Sequence, residues 1–281
     1  LFYGHYDVQP ADPIELWDSD PFKGVVKDGK LYARGVSDDK GQVFCHLKSI
    51  ESWLKTTGEL PINIKVLIEG EEEIGSPNLP QFLQEHTALL QSDIALVSDT
   101  PMYAENQPSI CFSLRGLVYL EVMINTANSD LHSGQQGGAV PNPIHVLCDI
   151  VSGLKDKDQK ITIPGFYDNV LNVPDTIRQG IVNLNFDDRA YKEELGAPGL
   201  IGEKGFSSLE RRWFRPTLDC NGILGGYTGE GSKTVIPHQA MAKISMRLVA
   251  NQDPVKIMAA TKSYIRSLCP DYANISFKEY A

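Results

Sequence analysis

Along residues 1–112, short apolar runs alternate with stretches of helical period. LFYG (1–4) is a short apolar strand, and KLYARG (30–35) is a second extended piece. From Asp39 a helix is expected, because Val43, Leu47, Ile50 and Leu54 fall at i, i+4, i+7 and i+11, on one face of a 3.6-residue period. TTG (56–58) ends it. INIKVLIE (62–69) is rich in β-branched residues and reads as a buried strand. Ser76-Pro77 reads as an N-cap with proline at the first helical position, and Leu79, Phe82 and Leu83 give that helix an apolar face. DIALVSD (93–99) is the next strand. Strands separated by helices predict a largely parallel sheet with covered faces.

The pattern changes after about residue 113. GLVYLEVMI (116–124) is a strand, and NPIHVLCDIVSGL (142–154) a helix. PTLDCNGIL (216–224) and AMAKISMRLV (240–249) are strands. DPVKIMAATKSYIRSL (253–268) is a helix capped by Asp253 with Pro254 behind it, and NISFKEY (274–280) is the last strand. This order is β-α-β-β-α-β, the split βαβ sandwich. Residues 155–212 form an insertion of mixed polar composition, to which the pattern assigns no place. Two domains are therefore expected, 1–112 and 113–281.

Composition narrows the function classes. The chain has 281 residues, 42% of them hydrophobic and 22% charged, as in ordinary globular proteins. Its net charge of −10 argues against nucleic acid as a partner. No apolar run approaches the roughly 20 residues that span a bilayer, and no basic-then-apolar secretory signal is present. The five cysteines are scattered, odd in number and without a CxxC pair, which argues against a disulfide framework or a cysteine zinc site. The chain opens inside a strand, at Leu1 rather than Met, and ends on another. A piece of a longer chain is the expectation.

The acidic residues fall in a revealing place. His5 and Asp7 end the first strand, Asp38 and Asp39 sit at a strand-to-helix turn, Glu71, Glu72 and Glu73 follow INIKVLIE, and Asp99 ends DIALVS. All lie just past carboxyl ends of strands, the rim where open α/β sheets bind ligands. Two unit charges 4 Å apart repel by about 4 kcal/mol at an effective dielectric near 20. A divalent cation reverses that sign. Mixed imidazole and carboxylate donors suit zinc, with manganese or cobalt as alternatives. Several carboxylates with few histidines suit a two-metal site. Taken singly, each motif has a plainer reading: a solvated acidic run, a helix-capping Asp pair, a chance HxD. The recurrence of all of them at strand ends favours metal.

GHYDVQP, ARGVSDDKG, EGEEEIGS, VSD, DLHSG and KTVIP together resemble the zinc aminopeptidase-like metallopeptidase family that contains carnosine dipeptidase, cytosolic nonspecific dipeptidase, carboxypeptidase G, aminoacylase and succinyl-diaminopimelate desuccinylase. The resemblance covers the whole chain and is nearest the nonspecific-dipeptidase branch. It implies an α/β catalytic domain with an inserted ferredoxin-like lid and dimerisation domain. It implies two divalent ions, with His5, Asp38, Glu73 and Asp99 as ligands, Asp38 bridging and followed by a cis peptide. Asp7 would orient the His5 ring, and Glu72 would be the general base. Glu69 and Glu71 receive no role, and Glu71 is expected to face solvent. On the lid, His132 would reach the partner subunit's site of a homodimer and stabilise the oxyanion, while Thr234 and Arg247 bind substrate. Without the resemblance, His132 is an ordinary loop histidine, and Arg247 fits a buried structural ion pair as well as a carboxylate clamp. The family's last zinc ligand, a histidine, would lie beyond Ala281. His46, His86, His145 and His238 stand in the wrong contexts to replace it.

The expected activity is metal-dependent hydrolysis of dipeptides in the cytoplasm, without membrane or nucleic-acid partners. An N-acyl-amino-acid or succinyl-amide hydrolase with the same centre is one alternative. An inactive fragment or dimerisation module is another.

Overall fold

A four-residue strand organises the first half of the molecule. The computed structural model describes residues 1–280 and divides into two compact units, Leu1–Phe112 and a second beginning at Ser113. In the first, β1 (Phe2–His5) is the centre of a three-stranded parallel sheet, flanked by β4 (Val66–Glu69) and β5 (Leu96–Val97). Phe2 pairs with Val66 and Leu96, and His5 with Glu69. β2 (Val25–Lys27) and β3 (Lys30–Tyr32) form a separate hairpin. Its two turn residues, Asp28 and Gly29, both have positive φ, as a tight primed turn requires.

α1 (Gly41–Thr57) follows a turn at Val36–Lys40 and ends at Gly58 in the left-handed region. It lies close against β1. The Phe2 and His46 rings stand 4.3 Å apart, and a Cβ at Gly4 would meet Val43 Cγ2 at 2.5 Å and Asp39 Oδ2 at 2.8 Å. Only glycine fits there. α2 (Leu79–Glu85) and the single turn α3 (Thr87–Leu90) complete the unit.

Three expectations need correction here. INIKVLIE and DIALVSD are strands only at 66–69 and 96–97: β4 pairs along the whole four-residue central strand, and β5 along only its first two residues. Their apolar side chains are not buried on both faces: Val66, Ile68, Leu96 and Val97 remain 38–52% exposed, since β4 and β5 are both edges. Ser76 does not cap α2. Its backbone is left-handed at φ 50°, its hydroxyl donates to Glu69, and the helix starts after Asn78 with Pro80 in its first turn.

The second unit is built on a four-stranded antiparallel sheet. β6 (Gly116–Asn125), β8 (Thr217–Gly225), β10 (Gln239–Leu248) and β11 (Asn274–Glu279) lie in the order β11-β6-β10-β8. Alternation along β6 and β10 buries Val118, Leu120, Val122 and Ile124 against Ala242, Ile244, Met246 and Leu248. α5 (Pro143–Gly153) and α9 (Pro254–Leu268) cover that face with Val146, Leu147, Ile150, Ile257 and Ile265. The second helix starts as expected, with Asp253 accepting from the Val255 and Lys256 amides, and the first starts in the same way, with Asn142 accepting from the Ile144 amide, each cap standing before a proline. A two-stranded ribbon, β7 (Leu131–His132) with β9 (Val235–Ile236), stands apart from the large sheet, and one turn, α4 (Ser133–Gln136), follows β7.

The 155–212 segment is helical, with α6 (Asp175–Asn183), α7 (Asp188–Glu194) and α8 (Ser208–Trp213). Its first part is no surface insertion, because Ile161, Ile163 and Phe166 are buried in the sheet's core. Further on, Arg215 pairs bidentately with Glu203 at 2.7 Å and lies over the Phe206 and Tyr167 rings. No helix among the described residues is long and apolar enough to cross a membrane.

Candidate metal centre

Parallel register does the gathering. It sets His5 beside Glu69 at one end of the sheet, and the chain leaving β5 carries Asp99 to the same end. The turn before α1 brings in Asp38, and its peptide bond to Asp39 is cis. The turn after β4 brings in Glu72 and Glu73.

His5 is fully buried and sits at the focus. Its Nδ1 lies 3.2 Å from both Asp7 Oδ1 and the Asp7 carbonyl, which accept the proton on that nitrogen. Its Nε2 faces Asp38 Oδ1 at 3.0 Å, Asp99 Oδ2 at 3.5 Å and Glu72 Oε2 at 3.9 Å. Carboxylates only accept, and so does an unprotonated Nε2. Such a cluster needs a positive charge at its centre, either a second ring proton or a metal ion.

The titration of the cluster reflects that need. Burial pushes the His5 imidazole down, yet the Asp38 hydrogen bond and the charges of Asp99 and Glu72 outweigh it and leave the ring above its usual range. Burial raises Glu72, and Asp99, Glu73 and Asp38 raise it further against the pull of His5. Asp99 is raised by burial and by Asp38 and Asp39. Asp7 moves the other way: burial works against its charge, but the Glu73 amide donates to it at 2.9 Å and holds it below the carboxylate range.

This donor set fits a divalent cation. One ligand atom each from His5, Glu72 and Asp99 lie within 4.8 Å of one another. Among the described residues no lysine or arginine forms an ion pair with Asp7, Asp38, Glu72, Glu73 or Asp99. Lys40 reaches only the Tyr6 carbonyl, at 2.6 Å. Glu73 stands outside the tight group of three. Its carboxylate takes the Gln9 side-chain amide at 2.7 Å and the Gln9 backbone amide at 3.2 Å.

The remaining acids have tasks that sequence reasoning missed. Glu69 Oε1 accepts from the Tyr3 hydroxyl and from Ser76 Oγ, tying the strand ends to the turn. Glu71 does not simply face solvent: the Asn78 amide group donates to both its oxygens at 2.9 Å. Asp39 is buried, and its Oδ2 accepts from the His5 amide at 3.2 Å. The one available signal was Tyr3, placed two residues before His5 and so on the same face of the strand.

The second unit brings two further sequence-predicted residues together. His132 Nδ1 accepts from the Gly134 amide at 3.0 Å, so Nε2 carries the ring proton and points it at Thr234 Oγ1, 3.2 Å away. Arg247 lies on β10, exposed rather than buried, with no ion-pair partner among the described residues.

Comparison with known proteins gives the same direction. The model of peptidase family M20/M25/M40 matches residues 1–268. The Cys-Gly metallodipeptidase dug1 of Schizosaccharomyces pombe is 32% identical over 268 residues, covering 94% of this chain and 56% of that protein. The Beta-Ala-His dipeptidase of Homo sapiens is 32% identical over 269 residues, 95% of this chain and 52% of that one. Among solved structures, an M20 family metallo-carboxypeptidase from Sulfolobus solfataricus superposes with a TM-score of 0.85 at 36% identity, covering 98% of this chain and 62% of that one. The chain thus spans just over half the length of its dipeptidase relatives. Strand-end acids gathered on one imidazole and a family match along nearly the whole chain lead to one conclusion: the protein belongs to peptidase family M20/M25/M40.

Proposed function

We propose that the protein is a metal-dependent dipeptidase, with residues 1–112 carrying a dinuclear zinc centre and residues 113–281 serving as a lid and dimerisation domain. The observation that carries this reading is the buried His5 ring with three carboxylates on its Nε2 side. The dipeptidase names of the relatives give the substrate class.

His5, Asp38 and Asp99 would hold one ion, and Asp38 with Glu73 the other. Bound there, the ions would supply Lewis acidity toward the scissile carbonyl and toward the attacking water. Asp7 fixes the His5 ring by accepting from Nδ1, which keeps Nε2 turned toward the site. Glu72 takes the proton from the attacking water and delivers it to the leaving amine; its Oε2, 3.9 Å from His5 Nε2, places the carboxylate beside the site. The Nε2 proton of His132 is a donor suited to the oxyanion, in the site of a partner copy. Thr234 and the unpaired, exposed Arg247 suit the substrate's terminal carboxylate. A soluble cytoplasmic homodimer completes the proposal.

Glu72 is near enough to His5 to be a ligand, so the roles must be separated. Glu72→Gln in the full-length protein is expected to lower dipeptide hydrolysis by about 10²–10⁴-fold with zinc content unchanged. Loss of zinc would make Glu72 a ligand, and a rate near wild type would remove it from the chemistry. Turnover that demands a free α-amino group separates a dipeptidase from an N-acyl hydrolase.

A further inference from the structure

His132 and Thr234 stand on a small ribbon whose neighbouring side chains have no part in the chemistry proposed for them. β7 and β9 pair through two residues each, Leu131 with Ile236 and His132 with Val235. So short a ribbon does not hold itself together in water. At its tip the Ser133 amide donates to the Thr234 carbonyl at 3.1 Å. At its base, Asp130 precedes β7 and His238 follows β9. Asp130 Oδ1 accepts twice from His238, from Nδ1 at 2.7 Å and from the backbone amide at 3.0 Å. The His238 carbonyl in turn accepts from the Thr126 amide at 3.0 Å, just past the end of β6.

We propose that Asp130 and His238 are positioning residues, a clamp that closes the base of the β7–β9 ribbon and fixes the His132 imidazole against Thr234. The inference rests on His132 acting as the oxyanion donor. Neither clamp residue touches substrate in this account. They set where the His132 Nε2–H points, because only Leu131 separates Asp130 from His132, and only Ile236 and Pro237 separate His238 from Val235, its partner in the ribbon. The His238 side-chain and backbone donors hold the Asp130 carboxyl below its usual range, so it remains an acceptor for both.

The test uses the full-length enzyme with two readouts. Asp130→Ala and His238→Ala are each expected to lower kcat by about tenfold or more, as displacing a reacting group by an ångström can, with zinc content unchanged. The double variant is expected to be no worse than either single one. Asp130→Asn, whose amide oxygen accepts the same two bonds, is expected to restore most of the rate. Hydrogen exchange at residues 126–134 should quicken in the two alanine variants and not across 116–124. If His132→Ala leaves kcat unchanged, the oxyanion assignment fails, while exchange still reports on the clamp. If His132→Ala lowers kcat but the alanine variants at 130 and 238 keep wild-type rate or wild-type exchange, the clamp is overturned.

Discussion

Gly134 shows how tightly single positions are fixed. Its amide holds His132 Nδ1, and a Cβ there would stand 2.9 Å from His132 Cε1 and 3.1 Å from Nδ1. Gly134→Ala is therefore expected to rotate the imidazole away from Thr234. Kinetics should show kcat reduced about tenfold, with zinc content and far-ultraviolet circular dichroism at wild-type values. An unchanged kcat would mean that the ring is not needed where it stands. At this scale the sequence showed which acids lie at strand ends, because that follows from apolar runs and their stops. It did not show which acid meets which partner. Glu69 turned to the nearby Ser76 and also to Tyr3, and Glu73 to Gln9, the last two contacts joining residues 66 and 64 positions apart. Residue spacing carries no trace of such contacts.

Elements follow the same logic. Asp253 was legible as a cap because it is an Asx residue directly before a proline at the first helical position, and Asn142 caps its helix in the same way although it was not read as a cap. Ser76-Pro77 looked alike but sits in a turn already claimed by Glu69 and Glu71, so the cap moved on to Asn78. The capping box of α8 was not read from sequence, since the 155–212 segment shows no clear period. There the Ser207 side chain accepts from the Glu210 amide, while Glu210 accepts from the Ser207 amide and hydroxyl and pairs with Arg178 at 2.9 Å. Burial opposes the Glu210 charge, but these donors outweigh it and depress its pKa. A depressed folded-state pKa gives stability that is present above the unfolded value, near 4.3, and lost as pH falls through the folded one. Glu210→Ala is expected to cost about 1–2 kcal/mol at neutral pH. In urea unfolding the gap from wild type should narrow below about pH 4. A gap constant from pH 7 to pH 3 would contradict the ionic account of this cap.

For the whole molecule, the alternation before residue 113 was read as a parallel sheet and the β-α-β-β-α-β order after it as a split βαβ sandwich, and the structure has a parallel sheet in the first unit and an antiparallel one in the second. Long apolar runs made β6 and β10 legible to within one residue at their ends, while the alternation of buried and exposed positions appeared only in the structure. The parallel sheet was harder to read, because its strands are two to four residues long and their pairing register leaves no local signature. Yet that register fixes the sheet end at which His5 and Asp99 stand, and the turns before α1 and after β4 bring Asp38 and Glu72 to it. The decisive measurement is zinc binding to the full-length protein by equilibrium dialysis, at neutral pH and about pH 5, for wild type, His5→Ala and Asp99→Ala. The raised pKa values of His5, Glu72 and Asp99 mean that protons compete with metal, so affinity should rise as pH increases through them. The expected result is at least one tightly held zinc per chain at neutral pH, weaker retention in acid, and binding weakened by tenfold or more in both variants. Zinc retained equally by all three proteins, or by none, would contradict it.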